Sequence, residues 1–119
     1  MEQRKRVLIV EDDDSIRSLV QATLEYEGYD VQPAEHGGVA LALLERFQPD
    51  VVVLDMRMPH VDGREFARQY HAMPPPHAPI IALTAGQDPA DTASEIAAAG
   101  FLAKPFEIDN LLEVIGQHT

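Results

Sequence analysis

Short runs of β-branched and aliphatic residues alternate along this chain with longer stretches in which apolar positions recur every third or fourth residue. The first kind of run reads as a strand covered on both faces, the second as an amphipathic helix. Strands are predicted over residues 6–10, 30–34, 51–54, 79–83 and 101–103. The first helix carries Ile16, Leu19, Val20, Thr23 and Leu24 on one stripe, with Asp14 as its N-cap and Gly28 just past its end. The second opens at Gly37-Gly38, places Val39, Ala40, Leu43, Leu44 and Phe47 on one side and stops before Pro49. A third covers about residues 63–73 and is ended by Pro74-Pro75-Pro76, because proline lacks the amide donor and clashes with the preceding turn. The fourth, opening near Asp88-Pro89, is rich in alanine and poor in large apolar groups, while the last aligns Ile108, Leu111, Leu112 and Ile115.

Strict βα alternation predicts an α/β fold around a parallel sheet. Right-handed crossovers then place helices on both faces and bring the carboxyl ends of all strands to one edge, where open α/β sheets bind their ligands. The polar residues that close the apolar runs are therefore the candidates for chemistry. Glu11 and Asp12 follow Val7-Leu8-Ile9-Val10, and Asp55 follows Val51-Val52-Val53-Leu54. Thr84 follows Ile80-Ile81-Ala82-Leu83, and Lys104 follows Phe101-Leu102-Ala103. Two carboxylates about 4 Å apart repel by roughly 4 kcal/mol at an effective dielectric near 20, a strain that a divalent cation relieves. Oxygen donors without cysteine or paired-histidine spacing favour Mg2+ over zinc, and such a site suits phosphoryl transfer, where positioning and charge neutralisation contribute most. Lys104 is one of only two lysines and sits among apolar neighbours, an odd place for a merely solvating charge.

Composition narrows this picture. The 119 residues suit one domain, 1–119, and no apolar stretch approaches the ~20 residues of a membrane span. Only four apolar residues follow Arg4-Lys5-Arg6 before the acidic knot, too few for a signal peptide, so the chain is expected to be cytoplasmic. The absence of cysteine excludes disulfides and thiolate metal sites. A net charge of -11 disfavours attraction to phosphate backbones, so no direct nucleic-acid binding is expected. The five histidines show no metal-ligand spacing and are assigned no function.

The segments Val7-Leu8-Ile9-Val10-Glu11-Asp12-Asp13, Leu54-Asp55-Met56-Arg57-Met58-Pro59 with Asp62-Gly63, Leu83-Thr84-Ala85, and Lys104-Pro105-Phe106 resemble, in order and over essentially the whole chain, the receiver domain of two-component response regulators. The resemblance implies a flavodoxin-like, doubly wound, five-stranded parallel sheet of order 2-1-3-4-5 with five helices. It also implies a phosphoacceptor switch rather than an enzyme acting on a separate small-molecule substrate. Asp55 would take a phosphoryl group from a histidine kinase or phosphotransfer protein. Asp12, Asp55 and the backbone carbonyl of Arg57 would ligate Mg2+ directly, and Glu11 mostly through water. Thr84 and Lys104 would hold the phosphoryl oxygens, and the Lys104–Pro105 peptide is expected to be cis. Thr84 and Phe101 would form the switch, altering the face of the fourth helix, fifth strand and fifth helix that a downstream protein or effector domain reads. Phe101 has no hydroxyl, so ring burial alone would bias it. Arg57 and Gly86 stand where the family varies and are candidates for setting the phosphoryl lifetime.

Two other readings compete. A Mg2+-dependent phosphatase with an aspartyl nucleophile needs a general acid where Arg57 stands. A receiver-like binding module would keep the fold without being phosphorylated. Met1 just ahead of the first strand favours a stand-alone receiver or one that begins its parent chain. The small residues over 93–99 suit close packing against a second copy, as in a phosphorylation-dependent homodimer, and equally suit a helix with few contacts and high mobility.

Overall fold

A computed structural model describes residues 4–57, 62–85 and 89–119, with backbone only over 89–91. Met58, Pro59, Gly86 and Asp88 of the sequence reading lie outside the described residues. The elements alternate as expected: β1 (Arg6–Val10), α1 (Asp14–Tyr26), β2 (Asp30–Ala34), α2 (Gly37–Leu43), β3 (Val51–Asp55), α3 (Gly63–Ala72), β4 (Ile80–Thr84), α4 (Pro89–Glu95), β5 (Gly100–Ala103) and α5 (Ile108–Gln117). All strand pairs are parallel and the order is β2-β1-β3-β4-β5, the predicted doubly wound arrangement.

The apolar strand runs divide by parity, because successive side chains of a strand point to opposite faces. Val7, Ile9, Val31, Val51, Val53, Ile81 and Leu83 pack beneath Val20 and Leu24 of α1 and Leu111 and Ile115 of α5. Leu8, Val10, Val52, Leu54, Ile80 and Ala82 pack against Ala40 of α2, Phe66 and Tyr70 of α3, and Ile96 just beyond α4. Two apolar layers therefore clamp the sheet, and β3 and β4 are buried along their whole length. At about 25 cal/mol per Å2 of apolar surface, each fully buried aliphatic side chain in these layers contributes about 2 kcal/mol before conformational entropy is counted.

Two details of α1 differ from the sequence reading. Its N-cap is Asp13, whose carboxylate accepts from the Ile16 amide at 2.9 Å, and Asp14 is the first helical residue. Both acids are favourable at this positive end of the helix, but only Asp13 has the extended backbone that lets its carboxylate reach that amide. Leu19 is 59% exposed, because the buried stripe centres on Val20 and Leu24 and leaves Leu19 at its rim. α2 is capped by His36, whose Nδ1 accepts from the amides of Gly38 and Val39. α3 is preceded by Asp62, whose carboxylate accepts from the Glu65 amide at 2.9 Å.

Candidate functional site

Strand register explains why four residues from distant parts of the chain meet. Val10 pairs with Leu54, so Glu11 and Asp55, each one step on, are neighbours at the carboxyl edge. Thr84 pairs with Ala103, so Lys104 emerges beside the end of β4, and its amide donates to the Thr84 carbonyl at 2.6 Å. Parity then sorts the side chains. Glu11, Asp55 and Lys104 continue the rows of Ile9, Val53 and Leu102 on the α1/α5 face, whereas Thr84 continues the row of Ile80 and Ala82 on the other.

The result is a compact charged cluster. One carboxylate oxygen each of Glu11, Asp12 and Asp55 lies within 4.8 Å of the other two, the one such trio of metal-ligating residues among the described residues. Glu11 and Asp55 are buried and Asp12 is exposed, so the trio opens to solvent on one side. Lys104 Nζ lies 3.2 and 3.1 Å from the two Glu11 oxygens and 3.3 Å from Asp55 Oδ2. The second Asp55 oxygen, Oδ1, accepts from the Arg57 amide at 3.1 Å. Glu11 Oε1 also accepts from the Asp13 amide at 3.3 Å. The Arg57 side chain is exposed.

One ammonium does not neutralise three carboxylates. Charges 4.8 Å apart repel by about 3 kcal/mol at an effective dielectric near 20. Burial, and then the Asp55 charge, push the Glu11 carboxyl up to about 7 against the pull of Lys104. Burial likewise raises Asp55, although the Arg57 amide and Lys104 oppose the shift. Burial would lower Lys104, yet the charges of Asp55 and Glu11 outweigh it and raise its affinity for the proton. Without a further positive charge, burial thus favours the protonated forms of Glu11 and Asp55. The donor set is entirely hard oxygen, and its surplus of negative charge fits a small divalent cation.

Thr84 is buried at 3% exposure and, among the described residues, its Oγ1 has no hydrogen-bond partner, a state that costs about 1–3 kcal/mol in a buried hydroxyl. Phe101, on β5, is 43% exposed with its ring outside the core. The Lys104–Pro105 peptide is cis, as the resemblance led us to expect. Close behind Asp55, Gly63 approaches Met56 so tightly that an added Cβ would stand 2.7 Å from the Met56 Cα. Sequence reasoning passed over Arg17, whose Nη1 donates to the Glu11 carbonyl at 2.9 Å, and Asp13, whose amide supports the Glu11 carboxylate.

Residues 7–116 match the response regulator receiver domain. The chain belongs to that family. This receiver is 37% identical over 109 residues to the response regulator MprA of Mycobacterium sp. (strain KMS), a match covering 90% of the receiver and 47% of that protein. It is 35% identical to the transcriptional regulatory protein TrcR of Mycobacterium tuberculosis, with 90% and 42% covered. The receiver thus spans about half the length of the curated relatives it matches. Among solved structures, the chemotaxis response regulator CheY4 of Vibrio cholerae superposes with a TM-score of 0.86 at 31% identity, covering 98% of this chain and all of that one. The response regulator TrrA of Thermotoga maritima, determined in complex with Mg2+-BeF, gives 0.85 at 35% identity, covering 97% and 99%. Among the described residues no helix is long and apolar enough to cross a membrane.

Proposed function

We propose that the receiver is a phosphoacceptor switch, one unit over residues 1–119, in which Asp55 takes a phosphoryl group from a histidine kinase or phosphotransfer protein in the cytoplasm. The observation that carries this reading is the placement of Asp55 Oδ2 3.3 Å from Lys104 inside the acid trio. Oδ2 attacks phosphorus, the bond from phosphorus to the donor nitrogen breaks, and the departing imidazole takes a proton from solvent. The Arg57 amide holds Oδ1 and so orients the carboxylate for attack. Lys104 exchanges its contact with Asp55 for the phosphoryl oxygens, and the unpartnered Thr84 hydroxyl gains an acceptor there. Glu11, Asp12, Asp55 and the Arg57 carbonyl are the residues that would hold Mg2+, which when bound neutralises charge on the transferring group. The complex of TrrA with Mg2+ and beryllofluoride, a tetrahedral stand-in for a phosphoryl group, supports the same occupancy here.

The output follows from the hydroxyl. As Thr84 turns toward the new phosphoryl group, the space it leaves admits Phe101, and the face of α4, β5 and α5 changes for a downstream protein or effector domain, or for a second copy of the receiver. Incubation with Mg2+ and acetyl phosphate tests the reading by intact-mass measurement. Wild type is expected to gain one phosphoryl group and Asp55→Asn none. A wild type that gains no mass, or a variant that gains as much, overturns it.

A further inference from the structure

Arg17 stands one turn into α1, yet its guanidinium reaches back to the strand the helix follows. Nη1 donates to the Glu11 carbonyl at 2.9 Å, and Nη2 pairs with the Asp14 carboxylate. The side chain is only 18% exposed, unlike that of its partner Asp14 at 86%. Glu11 is thereby held at every polar atom: its amide donates to the Ala34 carbonyl, its carboxylate meets Lys104 and the Asp13 amide, and its carbonyl meets Arg17. Asp12, the exposed member of the trio, is joined to that carbonyl through its own amide. A peptide unit is planar, so fixing the Glu11 carbonyl fixes the plane that also contains the Asp12 amide and Cα.

Resting on the Mg2+ reading above, we propose that Arg17 is a positioning residue of the cation site: by gripping the Glu11 carbonyl from α1 it aims the Asp12 carboxylate at the place shared with Glu11 and Asp55. Arginine suits the task because its planar fork engages the carbonyl and Asp14 together, and the second contact keeps the first from rotating away. Lysine offers a single point of attachment.

The charge of Arg17 and its grip act in opposite directions, and this makes the inference testable. A cation beside the trio repels Mg2+, so if Arg17 acted by charge alone, Arg17→Ala would bind the metal more tightly. Positioning requires the reverse. Outer partners of metal ligands typically contribute 10–100-fold in affinity, and we expect Arg17→Ala to weaken Mg2+ binding about tenfold by calorimetric titration. Arg17→Lys, with the charge kept and the fork lost, is expected to fall between, and Asp14→Ala, which frees one arm of the fork, to weaken binding about twofold to threefold. In metal-free protein the Asp12 and Asp13 amides of Arg17→Ala should exchange hydrogen faster while those of α5 keep the wild-type rate. Should Arg17→Ala fail to fold, Arg17→Lys and Asp14→Ala carry the test. A wild type that binds Mg2+ while the variants bind it equally or more tightly overturns the inference alone. A wild type that takes no Mg2+ overturns the reading beneath it as well.

Discussion

The centre of the sheet and its β5 edge are built to different standards. β3 and β4 are buried at every position, whereas β5 alternates between half-buried and exposed and turns Phe101 outward. α3 covers its side with Phe66, Ala67 and Tyr70, while α4 and the turn after it bury, among the described side chains, Ala93 and Ile96. That turn also holds Ala97 at φ 55°, a left-handed conformation in which a methyl group is strained. The site straddles this boundary. Its acids hang from β1 and β3 in the firm half, and its ammonium comes from the end of β5. Under the proposed switch, a change at Asp55 would reach the end of β5 through Lys104, on a strand that is half-buried or exposed along its length.

The strongest way to break this comparison is to cut a leucine from each half. Leu54→Ala removes a fully buried β3 side chain and is expected to destabilise by about 2–5 kcal/mol, against about 1 kcal/mol for the half-buried Leu102→Ala of β5, both by urea denaturation. Equal losses would erase the distinction.

A second test addresses the charge in the firm half. Glu11 is raised from 4.5 to about 7 in the folded protein, so across that window the folded state holds more protons than the unfolded one. Stability of the metal-free protein should fall as pH rises through the window and level off above it. Mg2+ needs the anionic carboxylates, so the melting-temperature gain it confers should be larger at about pH 8 than at about pH 5. A metal-free melting temperature that climbs between these two values contradicts the burial argument.

Asp55→Asn removes one charge of the crowded trio and leaves Lys104 its contacts with Glu11. Without metal, this variant should lie between unchanged stability and a gain of about 1 kcal/mol in thermal melts. Clear destabilisation would mean that the Lys104–Asp55 contact outweighs the repulsion. The smallest effect concerns the loose half. Ala97→Gly relieves the left-handed residue and is expected to stabilise by about 0.5–1 kcal/mol, sharpening the contrast by showing that the β5 side carries removable strain. No gain would place that strain elsewhere.

Much of the architecture was legible because strands buried on both faces must be apolar at consecutive positions. The shifts at strand ends have a local cause. Asp55 and Thr84 end the apolar runs but continue the ladder, as the Met56 amide donating to the Leu83 carbonyl shows, so polarity stops one residue before pairing does. Pro79 looked like part of β4, yet it lacks an amide and contributes a carbonyl that accepts from Val52. Three consecutive aspartates offered no basis for choosing the α1 cap, and histidine is not a usual cap, so Asp13 and His36 emerged only from backbone geometry. Strand ends led us to expect Asp12, Asp55, Thr84 and Lys104 at one edge; the structure gathers Asp12, Asp55 and Lys104 there, adds Glu11, which contacts Lys104 across 93 residues of chain, and turns Thr84 to the other face of the sheet. The support of Arg17 was invisible, because an arginine on a helix ordinarily reads as a solvated charge.

Gly63 offers no functional group, yet any larger residue there must push α3 off the backbone that directly follows Asp55. A survey of substitutions scored by signalling output would rank it alongside Asp55, the proposed phosphoacceptor, and for a purely steric cause. Only a variant assayed for both folding and phosphoryl uptake would tell a lost wall from a lost nucleophile.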